Sequence, residues 1–97
     1  MYYMVEIALP EDPDEQFFRL IPDQKEHVDS LMEDGMIRHY ALSHDRLRLW
    51  VVALASDEDE VRLMLSGFPL IEYMQPEITP LMFADSVSSP LPSFSLN

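Results

Sequence analysis

Arg38 and His39 stand side by side in an otherwise apolar stretch, GMIRHYALSHDRLRLWVVALA, which spans residues 35–55. Imidazole is the side chain suited to moving a proton at neutral pH. A guanidinium is a fixed cation that holds a carboxylate as a fork. Together they offer a proton carrier beside a fixed positive charge, provided that both reach one dry pocket. Adjacent residues of a regular strand point to opposite faces. One of the two is therefore a rim residue, or a bulge re-aims it.

Other candidates are scattered. Glu6 alternates with Val5 and Ile7, so it faces away from them; it reads as a second base or as a salt-bridge partner of Arg48 or Arg38 across a subunit contact. His27, between Glu26 and Val28, reads as a boundary histidine or as a pocket residue facing the sheet. Tyr73 can offer its hydroxyl to a ligand or satisfy it within the core, and Trp50 completes the candidate ligand contacts. The three histidines lack metal-ligand spacing, and the acidic run 57–60 reads as a solvated first helical turn. With no cysteine there is neither a disulfide nor a thiolate site. No metal and no cofactor are expected.

These residues need a scaffold. Residues 2–9 (YYMVEIAL) form a strand stopped by Pro10. Phe17, Leu20, Ile21, Val28, Leu31 and Met32 mark the buried stripe of a helix that ends at Gly35, with a kink or a break expected at Pro22. Residues 36–43 and 47–55 pair as a hairpin around a polar turn without glycine. Ser56 caps a second helix with Asp59 at its third position; Val61, Met64 and Leu65 form its buried stripe, and Gly67 ends it. Residues 77–84 give a last strand, whose Pro80 suits an edge.

The order β-α-β-β-α-β predicts a ferredoxin-like α+β domain over residues 1–86. Two helices cover one face of its sheet. Residues 47–55 are apolar on both alternations, so the second face also requires cover. A second copy of the chain is the simplest provider, giving a dimeric α+β barrel, a homodimer or higher homo-oligomer. The extended Ser/Pro-rich tail, residues 87–97, carries Val87, Leu91, Phe94 and Leu96 and is expected to pack on a neighbouring subunit.

The balance of 18 acids against 6 bases, a formal charge of −12, disfavours nucleic acid and anionic membrane surfaces as partners. The opening residues lack the basic segment of a signal peptide, and no run is long enough for a membrane span, so the cytoplasm is the expected compartment.

Four pieces, in order, resemble the muconolactone isomerase family. They are the first strand running into Leu9-Pro10, the helix carrying Lys25-Glu26 and ending at Gly35, the Arg38-His39 pair, and FPLIEYM before the last strand. The resemblance covers residues 2–85. It implies a dimeric α+β barrel and a cofactor-free isomerisation that moves a double bond within a butenolide ring by proton transfer. In the family, aromatic and basic residues follow the Arg-His pair, whereas this chain has Ala41-Leu42, and its first strand has Met4, Glu6 and Ala8 where cations are expected. The expected function is therefore isomerisation of a small lactone or organic acid, in the breakdown of aromatic compounds. The rival is a ligand-binding or assembly module that kept the fold without the chemistry.

Overall fold

Strand β1 (Tyr2–Ala8) buries Tyr3, Val5 and Ile7 on one face and turns Tyr2, Met4 and Glu6 to the other, the period of a strand with two different surroundings. In this computed structural model, which describes residues 1–85, helix α1 (Glu15–Glu33), the hairpin β2 (Ile37–Leu42) and β3 (Arg48–Leu54), helix α2 (Glu58–Ser66), a 3₁₀ turn (Ile71–Tyr73) and β4 (Gln75–Pro80) follow. The strands lie in the order β2-β3-β1-β4, all neighbours antiparallel. This is the ferredoxin-like βαββαβ arrangement. The expected tail packing concerns residues outside those described. No helix among the described residues is long and apolar enough to cross a membrane.

Both helices cover the face that carries Val5, Ile7, Ile37, Leu49, Val51 and Ala53; Val28, Val61, Leu65 and Phe68 close the core against it. The opposite face is uncovered in the single chain. It carries Tyr2, Met4 and Glu6 of β1 beside Trp50, Val52 and Leu54 of β3, as the register Glu6↔Trp50, Met4↔Val52 and Tyr2↔Leu54 requires.

Local chemistry sets the element ends. The Asp14 carboxylate accepts the Phe17 N–H at 3.0 Å and caps α1. Gly35 takes φ +80°, its N–H bonding to Met32 O while the Met36 N–H bonds to Leu31 O, a Schellman stop. Of the kink and the break expected, the break does not occur: α1 continues undivided through Pro22. Phe18, whose carbonyl it leaves without a donor, shares its solvent-exposed side of the helix, so water can take that bond. The α2 cap is Asp57, not Ser56: Asp57 accepts the Glu60 N–H at 2.9 Å, and Glu60 accepts the Ser56 N–H at 2.8 Å. Glu60 thus reaches past the cap to the amide before it, so two orphan donors are satisfied without the reciprocal pairing of a capping box.

The hairpin turn closes without glycine because Arg46 adopts φ 67° and Asp45 accepts bonds from the Ser43 hydroxyl and the Leu47 N–H. At the outer edge of β4, Pro76 and Pro80 share the parity of Ile78, whereas Leu81 bonds inward to Tyr2. Both prolines therefore sit where a strand's amide would point away from the sheet.

Candidate functional site

Helix α1 does not cover the whole inner face. Tyr40 and Leu42, on the helix side of β2, are left partly uncovered, and a cavity of about 680 Å³ lies between them, α1, the β1–α1 loop and the hairpin turn. That volume falls in the range of small-molecule sites. Its walls are largely apolar: Leu9, Phe17, Ile21, Val28, Leu49, Leu70 and Met74 all contribute. Ile21, expected in the buried stripe, is 42 % exposed because it faces this space, and Met32 is equally exposed.

Gln24 is the one buried polar side chain among the described residues, 4 % exposed, and it lines this cavity. Its Oε1 accepts the Leu70 N–H at 3.1 Å, where the chain enters the 3₁₀ turn without a side-chain cap of its own. The amide orientation is thereby set. Nε2 is buried and has no hydrogen-bond partner among the described residues. It lies near enough to the Tyr40 hydroxyl to favour that group's ionised form, yet without hydrogen-bond geometry. Burial acts more strongly, and with the nearby Asp29 charge it pushes the Tyr40 phenol above its ordinary value. Lys25 and Asp29, one turn apart on α1, pair at 2.9 Å on the cavity wall, and Asp29 holds the Lys25 ammonium above its usual range. Arg46 and Glu11 also line the cavity.

The uncovered sheet face gathers a different set. Ile37 pairs with Ala53 and His39 with Val52, so Arg38 is an extra residue, a β-bulge. The Arg38 guanidinium lies 5.9 Å from the Tyr2 ring centre, which places it on the open face, and the pairing with Val52 places His39 there too. The bulge thus brings both residues to one side of the sheet. Glu6 on the same face accepts the Trp50 indole N–H at 3.1 Å and has the Arg48 guanidinium at 3.8 Å. Its partners come from its own chain.

A model of the muconolactone delta-isomerase family matches residues 1–85. The chain belongs to this family. The crystal structure of muconolactone isomerase superposes with a TM-score of 0.71 at 26 % identity, covering 92 % of this chain and 97 % of that one. A 5-chloro-2-hydroxyhydroquinone dehydrochlorinase from Burkholderia phenoliruptrix AC1100, solved with 2,5-dihydroxybenzoquinone, shares the fold with a TM-score of 0.61 at 12 % identity, over 87 % of this chain and 96 % of that one. No curated protein matches the chain.

Against this family frame, the residues singled out from the sequence fall into separate places. Arg38, His39, Glu6 and Trp50 share the open face. His27 lies across the sheet from them, in the helical layer, its ring edge-on to Phe68 at 5.8 Å and its Nε2 near Gly67. The Tyr73 hydroxyl donates to Asp14 Oδ1 at 2.8 Å, and its ring meets Phe17 edge-on at 5.2 Å, tying the 3₁₀ turn to the start of α1. That bond raises the Tyr73 phenol and, after the Phe17 N–H, lowers the Asp14 carboxyl. Gln24, Tyr40 and Asp29 are not singled out by the sequence, and Lys25 enters there only through the Lys25-Glu26 piece of the resemblance. The available signal was Gln24 itself, a polar residue at the i+4 spacing between Leu20 and Val28, inside the apolar stripe. Among the described residues, no three His, Asp or Glu side chains converge as metal ligands.

Proposed function

We propose that this chain catalyses a cofactor-free proton-transfer isomerisation of a small unsaturated lactone or organic acid in the cavity beneath α1. One observation carries the reading: a ligand-sized apolar cavity holds the Asp29 carboxylate within electrostatic reach of a half-buried tyrosine hydroxyl. Fixed donors beside apolar walls stabilise a developing oxyanion, and this cavity offers both, with the Lys25–Asp29 pair on its solvent-facing rim. In the step envisaged, a C–H bond next to the carbonyl breaks, Asp29 takes the proton, and the electron pair moves through the conjugated system onto the carbonyl oxygen. Asp29 then returns the proton to the far carbon, so no oxidant or cofactor is needed. Lys25 and Arg46 supply the positive charge that a substrate carboxylate requires.

In this proposal the open face, apolar at Tyr2, Met4, Trp50, Val52 and Leu54, receives a second copy and closes an α+β barrel, with Arg38, His39 and Glu6 at the seam. A cytoplasmic role in breaking down aromatic compounds belongs to the same reading. The rival, binding without turnover, draws support from the Lys25–Asp29 pair, in which each charge already has a partner.

Deuterium incorporation at carbon, followed by NMR across a set of butenolide acids, tests the choice. Protein-dependent exchange abolished by Asp29→Asn is the expected result. Exchange lost in His39→Ala but retained in Asp29→Asn would move the chemistry to the open face. Absence of exchange in the unmodified protein, with thermal stabilisation by the same acids, would select the binding module.

A further inference from the structure

We infer that Gln24 and Tyr40 form an oxyanion-binding pair, which receives the oxygen of a planar conjugated ligand such as an enolate or a phenolate. The location rests on the cavity reading above; the pair itself does not require turnover. Three observations converge. The Gln24 carbonyl oxygen is committed to the Leu70 N–H, so the amide cannot flip without orphaning that backbone donor. Its NH₂ is consequently presented as a donor, buried and without a partner among the described residues, beside the Tyr40 hydroxyl. Both side chains line the same cavity, together with Leu49, Leu70 and Met74, whose apolar surfaces suit the faces of a flat ring.

Neutral donors in apolar surroundings discriminate in a particular way. A localised carboxylate loses more hydration than two neutral hydrogen bonds return, and it does better beside Lys25 or Arg46. A delocalised oxyanion is less strongly hydrated and gains more from donors fixed in advance. Tyr40 stays protonated, hence a donor, because burial and the Asp29 charge both oppose its ionisation. The pair therefore orients a ligand oxygen-first toward α1, with any carboxylate left near the cations.

A chromogenic phenol reads this directly. p-Nitrophenol, titrated with the full chain at a pH where half of the free phenol is ionised, is expected to bind as the phenolate, so that its visible band grows. Tyr40→Phe removes one donor and should weaken phenolate binding about tenfold, the equivalent of one hydrogen bond to a charged group. Gln24→Glu keeps an acceptor for Leu70 while turning the donor into a like charge, and should weaken binding at least as much. Gln24→Met provides an isosteric check, with circular dichroism reporting whether each variant is folded. Nitrobenzene, which has no ionisable oxygen, should bind the Tyr40→Phe and parent proteins equally. Failure of the phenol to bind, binding as the neutral phenol, or equal phenolate affinity in the parent and Tyr40→Phe would overturn the inference. Phenolate capture without carbon exchange would support it and refute only turnover.

Discussion

The chain has two glycines, and alanine at each should act in opposite directions. Gly35 sits at φ +80°, where an L side chain crowds its own carbonyl at a cost of about 1–2 kcal/mol. Nothing lies within 4 Å of a Cβ placed there, so no clash with the rest of the fold adds to that cost. Alanine also narrows the unfolded ensemble, which offsets roughly 0.4–1 kcal/mol and leaves a net loss near 1 kcal/mol. Gly67 has φ −88° and ψ −3°, a helical conformation that alanine adopts freely. A Cβ there would lie 3.6 Å from His27 Nε2 and from Met64 O, ordinary contact, so only the unfolded-state gain remains. The unfolded-state gain is common to both variants and cancels, so they should differ by the left-handed cost alone, about 1–2 kcal/mol, or roughly 4–16 °C in Tm for a domain of this size. Urea denaturation and calorimetry, at one fixed protein concentration because self-association would shift the midpoint, measure the gap. Gly35→Asn should recover part of the loss, since asparagine tolerates the left-handed region. Equal stability of Gly35→Ala and Gly67→Ala would refute the reasoning.

Acid should weaken the start of α1. The Asp14 carboxyl is held below its ordinary value of 3.8 by the Phe17 N–H and then by the Tyr73 hydroxyl, so its contribution is complete above that pH and is lost as pH falls through the lowered value. Asp14→Asn caps without titrating and should flatten the acid limb of a plot of stability against pH; unchanged acid slopes would contradict this. On the open face, Leu54→Asp should weaken self-association at least tenfold while leaving the single-chain fold intact, because Leu54 is already 38 % exposed. Sedimentation that found the parent to be a monomer at the same concentrations would remove the proposed second copy.

The elements were legible because each has a distinct hydrophobic pattern. Alternation around Glu6 marked β1, a short run apolar on both faces marked β3, the i, i+4 stripe marked α1, and the order of elements then left few topologies. The bulge at Arg38 was legible only as a possibility, because which residue is extra depends on the register against Val52 and Ala53, a relation between strands. The α2 cap was misplaced by one residue since Ser56 and Asp57 are both good caps; the choice turns on which reaches the Glu60 N–H. The cavity was not legible at all. It arises from how far α1 falls short of Tyr40 and Leu42, and no periodicity encodes that shortfall. Gln24 was its one trace in the sequence, an amide where the helix stripe called for a hydrocarbon.

The two edges of the sheet limit how copies of this chain can aggregate. Of the three β4 positions whose amides would point outward, Pro76 and Pro80 have no N–H, so Ile78 alone offers a donor. At the far edge, the extra residue Arg38 interrupts the ladder of β2. An incoming strand therefore finds a continuous row of donors at neither margin, and one chain cannot template the next into a filament. Under the proposed pairing, one partner covers the sheet's open face, and neither described edge offers a second site for strand addition. Crowding should accordingly drive this protein toward small closed assemblies rather than fibrils.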